Sequence, residues 1–316
     1  MRLIAVALAL IVLLAIAAVA ALWAPDRSVD SLKGRWAPPP SQFVPLQGMM
    51  VHLRDQGPRD DPLPIVLLHG TSASLHTWEG WVGVLGRTRR VITMDLPGFG
   101  LTGPDPEGDY RAARYVRFVT GLLDALGVRH CVIGGNSLGG EIAWNVAVDA
   151  PQRVSALILV DAAGYAFESK SVPLGFRIAR VPGLGRLTEH LLTRSLVAAS
   201  LRNVYGDPAR VTEALVERYY ELTLRAGNRR ALGERFAQMR PGENAARIPQ
   251  IAVPTLILWG ARDRLIPPAY GERFARDIQG SRLVRFDGLG HVPQEEDPVR
   301  TVAAVEQFLA GLAPGR

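Results

Sequence analysis

The feature that most constrains the fold is an alternation between short apolar runs and longer helical patterns. The runs are rich in β-branched residues and are too short for helices, and we predict strands at residues 43–46, 50–53, 65–68, 91–94, 131–134, 156–160, 255–259 and 282–286. Helices are predicted between them, at residues 74–85, 112–126, 138–150, 269–278 and 298–312. Continuous apolar strands separated by helices are typical of a parallel sheet buried on both faces. We therefore expect an α/β fold with a doubly wound, mostly parallel sheet.

One long interval interrupts this alternation. Residues 164–253 contain no strand-like run and are rich in Leu, Arg, Ala and Glu. The interval follows one predicted strand and returns to the next, so we expect an inserted helical cap over the carboxyl edge of the sheet, where ligands bind. The predicted domains are a core formed by residues 42–163 and 254–316, the cap at 164–253, a proline-rich linker at 25–41 and an N-terminal segment at 1–24.

The sharpest motif is the run GNSLGG at residues 135–140, between a predicted strand and a predicted helix. This is the setting of a G-x-S-x-G nucleophile elbow, in which a strained turn exposes the central serine. Glycines on both sides permit the turn because they carry no Cβ. The helix behind directs its amides towards developing negative charge. Ser137 is the predicted nucleophile.

A serine hydroxyl needs a base, and in this arrangement the order along the chain is serine, acid, histidine. His190 and His291 follow Ser137, and His190 lies inside the predicted cap. His291 lies in a glycine-rich loop directly after the last strand, so we predict that it is the base. Asp263, after the strand at 255–259, is the predicted acid that orients the imidazole. Asp161 also ends a strand and is the alternative acid.

Acyl transfer also requires donors for an oxyanion. We predict the backbone amide of Leu138, which follows the nucleophile, and that of Thr71, in the loop after the strand at 65–68. Trp78, Phe99 and Asn136 lie near the predicted cleft by chain position and are candidate pocket residues. Core packing is the alternative for the two aromatic rings.

These motifs together resemble the α/β-hydrolase superfamily. The resemblance covers about residues 43–312 and includes HGT at 69–71, DLPGFG at 95–100, the serine elbow, WGARD at 259–263 and GH at 290–291. It implies a cap at 164–254 and a Ser137–Asp263–His291 triad that needs neither a metal nor an organic cofactor.

The elbow restricts the choice of branch, because haloalkane dehalogenases and epoxide hydrolases carry aspartate there and dienelactone hydrolases carry cysteine. We expect a carboxylesterase or lipase-like enzyme that forms an acyl-enzyme from a small-molecule ester, including lipidic esters. The alternative is a C–C bond hydrolase of the meta-cleavage-product type, whose elbow is similar. Those enzymes usually have tryptophan after the catalytic histidine, where this chain has Val292. A non-catalytic binding protein of this fold is an alternative of another class, although such members usually lack a triad residue.

The N-terminal segment is the strongest indication of location. Residues 3–24 contain no charged side chain, and 22 helical residues would span about 33 Å, enough to cross a bilayer. We expect a membrane anchor with the catalytic domain outside the cytoplasm, because Arg2 precedes the segment. A cleaved signal peptide followed by secretion is the alternative, with Ala18–Val19–Ala20 as a cleavage site.

Charge and cysteine usage exclude other classes. The formal net charge is +6, but the arginines are scattered and form no basic stripe, so we expect no nucleic-acid partner. The single cysteine, Cys131, lies in an apolar run, and no cysteine-based metal site is possible. Oligomeric state is left open by the sequence.

Overall fold

A computed structural model describes residues 22–180 and 189–312, together with single positions at 6, 10, 13, 19 and 20. An eight-stranded sheet forms its centre. The strands are β1 (Ser41–Leu46), β2 (Met49–Gln56), β3 (Ile65–Leu68), β4 (Val91–Met94), β5 (Cys131–Asn136), β6 (Val154–Val160), β7 (Thr255–Gly260) and β8 (Arg282–Phe286). Their order is β1-β2-β4-β3-β5-β6-β7-β8; β1, β2 and β4 pair antiparallel, and every other pairing is parallel. The predicted mostly parallel α/β sheet is confirmed.

The helices of the described residues are α1 (Val29–Trp36), α2 (Glu79–Leu85), α3 (Ala112–Ala125), α4 (Leu138–Asp149), α5 (Leu174–Ala179), α6 (Arg194–Val204), α7 (Glu213–Thr223), α8 (Asn228–Gln238), α9 (Ala269–Asp277), α10 (Pro293–Glu296) and α11 (Pro298–Ala310). Five of them, α2, α3, α4, α9 and α11, lie close to the predicted positions. Short 3-10 turns lie at Leu75–Trp78, Pro151–Arg153, Pro208–Arg210 and Ala245–Gln250. The helix predicted at 74–85 thus begins as a 3-10 turn and continues as α2.

The central strands β3 to β7 are buried on both faces, as their continuous apolar character requires, whereas the edge strands β1 and β8 are partly exposed. Along β3, Val66 and Leu68 belong to one hydrophobic cluster, while Ile65 and Leu67 belong to the cluster on the opposite face. All four side chains are fully buried. Successive side chains of a strand point to opposite faces of the sheet, and here both faces are covered by a hydrophobic cluster. Apolar residues are therefore needed at every position.

The interval between β6 and β7 is helical in the described residues, as its composition predicts. Helices α5 to α8 lie there. Apolar residues of α6 and α7, including Leu201 and Val216, form a cluster of their own that also contains Val292, beside the predicted base. This places the helical insert directly above the His291 loop.

The proline-rich linker predicted at 25–41 is helical in its middle part, because it contains α1. The Ser28 hydroxyl caps that helix by accepting a hydrogen bond from the Ser31 amide. Its one fully buried side chain, Leu32, packs against Leu101 of the core and Leu222 of α7. A single apolar contact point among polar residues gave little periodicity from which to predict this helix.

The segment before α1 is joined to the helical insert. The Ala24 amide donates to the His190 carbonyl at 2.8 Å, and the Arg27 amide donates to the Leu224 carbonyl at 2.7 Å. In the described part of the chain, no helix has the length and apolar character needed to cross a membrane. The transmembrane helix predicted at 3–24 falls largely outside the described residues and stays a prediction.

Candidate active site

Ser137 occupies a sharp turn between β5 and α4. Its backbone has φ 55° and ψ −115°, a strained combination for a residue with a side chain. A Cβ at Gly135 would lie 2.2 Å from the Gly139 backbone, and one at Gly139 would lie 2.1 Å from the Leu68 carbonyl oxygen. The elbow therefore packs so tightly on β3 that its flanking positions accept only glycine.

His291 and Asp263 form the hydrogen bond that the sequence predicts. His291 Nδ1 lies 2.7 Å from Asp263 Oδ2, and both residues are almost completely buried. The other carboxylate oxygen of Asp263 accepts hydrogen bonds from the Leu265 and Ile266 amides at 2.8 and 3.0 Å. These amides fix the carboxylate, and the carboxylate fixes the ring, so that Nε2 is the nitrogen free to accept a proton.

Ser137 and His291 line the same cavity. Among the described residues, His291 Nε2 has no hydrogen-bond partner, so the contact to the Ser137 hydroxyl is not closed in this structure. Catalytic hydrogen bonds often tighten only when substrate binds, and the arrangement is therefore compatible with a Ser–His–Asp relay.

Asn136 positions the elbow relative to the histidine loop. Its Nδ2 donates to the Val160 carbonyl of β6 at 3.1 Å and to the His291 carbonyl at 2.9 Å. The residue also borders the cavity. The Asn136 side chain therefore connects the serine elbow to the loop that carries His291, and it also lies at the edge of the cavity.

Glu296 was not predicted as a site residue, yet it holds the other side of the histidine loop. Its carboxylate accepts a hydrogen bond from the Gly290 amide at 2.6 Å and another from the Gly206 amide at 2.9 Å. Burial raises the pKa of Glu296, and the bound backbone amides oppose that rise. The only sequence signal is an acidic residue five positions after His291. Its role depends on Gly206, which is 90 residues away.

Asp161, the alternative acid, lies beside Asp263. It ends β6 with φ 43° and accepts a hydrogen bond from the Gly260 amide at 3.0 Å. Burial, and secondly the charge of Asp263, raise the pKa of Asp161 well above its usual range. Ligand atoms of Asp161, Asp263 and His291 lie within 4.8 Å of one another, a distance that a cation could bridge. Asp263, and not Asp161, forms the hydrogen bond to His291, as expected of the acid that orients the imidazole.

The two predicted oxyanion donors belong to residues next to the serine, in the chain for Leu138 and in the cavity wall for Thr71. Leu138 is the first residue of α4, so its amide has no carbonyl acceptor within the helix. Thr71 lines the cavity together with Gly70 and Ser72. Neither the Leu138 nor the Thr71 amide donates to another described residue, so both amides are available to a ligand oxygen.

The cavity above Ser137 has a volume of about 460 Å3. Most of its wall comes from the helical insert and is aliphatic or aromatic. The apolar lining residues include Phe176, Ile178, Leu191, Leu192, Leu196, Val197, Leu201, Val204, Leu232, Leu265 and Val292. A smaller group of polar residues, Glu189, Ser200, Tyr219, Thr223, Arg229, Arg230 and Glu234, also borders it.

Two candidate pocket residues are corrected by the structure. Trp78 is fully buried and packs on Trp81, on the opposite side of the sheet from the large core cluster. Phe99 is buried edge-to-face against His69. Neither ring borders the cavity. Most of the cavity wall comes from the helical insert.

His69 lies next to the predicted oxyanion loop and is structural. One ring nitrogen is 2.7 Å from the Gly70 carbonyl, and the other accepts from the Leu96 amide at 2.9 Å. Burial lowers the pKa of His69, so the ring stays neutral and fixes the loop.

Comparisons with known proteins agree on one family. A family model described as alpha/beta hydrolase fold matches residues 64–298. An uncharacterized protein of Mycobacterium tuberculosis is 31% identical over 293 residues, covering 88% of this chain and 83% of that protein. The 2-hydroxymuconate semialdehyde hydrolase of Pseudomonas putida is 31% identical over 273 residues, covering 83% and 92%.

Solved structures give the same fold. A meta-cleavage product hydrolase from Pseudomonas fluorescens superposes with a TM-score of 0.72 at 24% identity, covering 85% of this chain and 97% of that one. The structure of a membrane phospholipase A superposes with a TM-score of 0.75 at 25% identity, and the match covers 98% of both chains. The second similarity therefore extends over nearly the full length of this chain.

Proposed function

The chain belongs to the α/β-hydrolase family, and we propose that it is a serine hydrolase that cleaves carboxylic esters, with lipidic acyl esters as its substrates. The observation that carries the proposal is the apolar cavity shared by Ser137 and His291. Aliphatic side chains dominate its wall, which suits an acyl chain, since each buried methylene contributes about 0.8 kcal/mol. Polar groups placed in a mainly apolar wall are typical of a site that orients a largely apolar ligand.

The proposed reaction has two steps. His291 Nε2 accepts the Ser137 proton while the hydroxyl oxygen attacks the ester carbonyl, and the Leu138 and Thr71 amides stabilise the oxyanion. The tetrahedral intermediate collapses, the alcohol leaves with the proton held by His291, and an acyl-enzyme remains. Water then attacks the acyl-enzyme with His291 again as base, which releases the acid and restores Ser137. No metal or organic cofactor enters this scheme.

The location that fits this substrate is a membrane surface. The uncharged segment at 3–24 supports an anchor. Ala24, at the end of that segment, and Arg27 hydrogen-bond to the helical insert, which forms most of the cavity wall, and these contacts support the proposal. The similarity to a membrane phospholipase A, which covers 98% of this chain, supports the same location. We propose an anchored enzyme with its catalytic domain outside the cytoplasm.

A series of p-nitrophenyl esters from short to long acyl chain tests the proposal. The full chain is assayed in detergent, with Ser137→Ala as the matched control. We expect turnover that requires Ser137 and that is fastest for medium or long chains. Absence of Ser137-dependent hydrolysis of every ester would contradict an esterase and would leave C–C cleavage or a binding role.

C–C bond hydrolysis is the second candidate, and the curated relatives favour it. The named relatives at 30–31% identity include two 2-hydroxymuconate semialdehyde hydrolases and a 2-hydroxy-6-oxo-2,4-heptadienoate hydrolase. The same triad could serve that reaction. Loss of the visible absorbance of such a dienone, measured with the same two proteins, decides between the candidates. Hydrolysis of the dienone far faster than of any ester would establish the second.

A further inference from the structure

Asp161 is a buried carboxyl group that the proposed reaction does not use. It directly follows β6, has no exposed surface, and has φ 43°, a left-handed conformation that costs free energy for a residue with a side chain. Its Oδ1 accepts a hydrogen bond from the Gly260 amide at 3.0 Å, whereas its Oδ2 is buried and accepts from no N–H group of the described residues. Burying an ionised carboxylate in this way is unfavourable, so the environment favours the protonated form.

The neighbour of Asp161 is the acid of the triad. Carboxylate oxygens of Asp161 and Asp263 and a ring nitrogen of His291 all lie within 4.8 Å of one another. Two buried carboxylates at this distance do not both ionise, because each negative charge disfavours the other. One of the two carboxyl groups therefore carries a proton near neutral pH.

The hydrogen bonds decide which carboxyl group carries it. Asp263 accepts three hydrogen bonds. One comes from His291 Nδ1 at 2.7 Å, and two come from the Leu265 and Ile266 amides. Asp161 accepts from a single backbone amide. Because N–H donors favour the charged form of the group that accepts them, Asp263 is the anion and Asp161 is the acid.

The charged groups around Asp161 favour the same assignment. Burial, then the charge of Asp263, raise the pKa of Asp161, and a side-chain hydrogen bond to Asp263 and the charge of Glu296 in α10 contribute in the same direction. His291, after β8, is the basic group nearby. In the part of the chain that the structure describes, neither oxygen of Asp161 accepts a hydrogen bond from an arginine or a lysine.

We propose that Asp161 is held as a neutral carboxylic acid and donates its proton in a hydrogen bond to Asp263. This hydrogen bond takes up part of the negative charge of Asp263, so less of that charge stabilises the imidazolium of His291. Asp161 is a positioning residue that acts on the base through Asp263 and touches no reacting atom. The inference rests on the proposed role of His291 as the base for Ser137, and it adds a residue that sets the pH at which the base can act.

The pH profile of kcat/KM for a p-nitrophenyl ester tests the inference in the full chain. Asp161→Asn has the same shape, can accept from the Gly260 amide and can donate an N–H to Asp263. We therefore expect its acid limb to keep the wild-type midpoint to within about 0.3 pH units. Asp161→Ala removes the donor, and its acid limb should move to higher pH by about 0.5–1 unit, because the imidazolium is then better stabilised.

Asp60→Asn is the matched control, since it removes an exposed carboxylate in the loop between β2 and β3, and it should keep the wild-type profile. A midpoint for Asp161→Asn that lies a unit or more below that of wild type would overturn the inference, because it would mean that Asp161 is ionised. The asparagine variant decides this point even where the alanine variant fails to fold. Loss of activity on dialysis against EDTA, restored by Zn2+, would also overturn it, because a cation would then take the place of the proton.

Infrared spectroscopy separates failure of this inference from failure of the proposed function, because it needs no substrate. Near neutral pH, the difference spectrum between wild type and Asp161→Asn should contain the carbonyl stretch of a protonated carboxylic acid, and the difference spectrum between wild type and Asp60→Asn should lack it. Absence of this band would refute a neutral Asp161 even with full ester hydrolysis. If no ester is cleaved, the proposed function fails, and the band still decides whether Asp161 is neutral.

Discussion

Replacing Glu296 with glutamine should weaken the loop that carries His291. Glu296 is 6% exposed, and its Oε1 accepts a hydrogen bond from the Gly290 amide at 2.6 Å. Its Oε2 accepts from the Gly206 amide at 2.9 Å and, at the longer distance of 3.4 Å, from the Asp207 amide. Glutamine has the same shape but offers one oxygen and one NH2 group. The NH2 group of the glutamine would therefore point at a backbone N–H group, which would lose its acceptor. The hydrogen bond that remains would have a neutral acceptor in place of a charged one.

The size of the effect follows from these contacts. An unsatisfied buried amide costs about 1–3 kcal/mol, and a hydrogen bond to a charged group contributes about 1.5–3 kcal/mol, more than a neutral one. We expect Glu296→Gln to lower the free energy of unfolding by about 2–4 kcal/mol. Unfolding entropy of about 2.1 cal/mol/K per residue gives about 0.66 kcal/mol/K for 316 residues, so Tm should fall by about 3–6 °C.

Catalysis should fall through kcat, because the histidine loop loses one of its supports. The Asp263–His291 hydrogen bond remains, so we expect a loss of about tenfold in kcat with little change in KM. Thermal melts and ester kinetics on the same preparations measure both effects. Glu306→Gln, on an exposed face of α11, is the control. A Tm within 1 °C of wild type, or an equal fall in the control, would refute the bracing role of Glu296.

Three further predictions concern other parts of the site. Asp161→Asn should become more stable relative to wild type as pH rises above the ordinary aspartate pKa. The raised pKa of Asp161 means that its ionisation costs more free energy in the folded state than in the unfolded state, and asparagine does not ionise. Parallel urea-stability curves of the two proteins from pH 5 to 8 would contradict this. Gly139→Ala should destabilise by about 3 kcal/mol or more, since the added Cβ would lie 2.1 Å from the Leu68 carbonyl oxygen; Gly83→Ala, with open space around it, should melt no lower than wild type. Glu221→Gln should lower Tm by several degrees, because the buried carboxylate accepts hydrogen bonds from Arg27, Arg35 and Trp36 of the linker at 25–41. An unchanged melt and unchanged proteolysis of that linker would argue against the contact.

The sequence by itself determined the sheet, the elbow and the order of the triad. Strands buried on both faces must be apolar at every position, which is visible as short continuous runs such as residues 65–68. The elbow could also be predicted from the sequence, because the tight turn at Ser137 requires glycine at positions 135 and 139. Asp263 and His291 were found because loops after parallel strands meet at one edge of the sheet.

Only the tertiary structure decided what surrounds those groups. Trp78 and Phe99 are close to the site in chain position, yet they pack in cores, because the helical insert forms the cavity wall. Glu296 acts through Gly206, and Arg229 pairs with Asp26, about 200 residues away. Local periodicity and backbone angles depend on near neighbours in the chain, and the sequence displays them directly. The partners of a buried charge depend on how distant segments pack, which no short stretch of sequence contains.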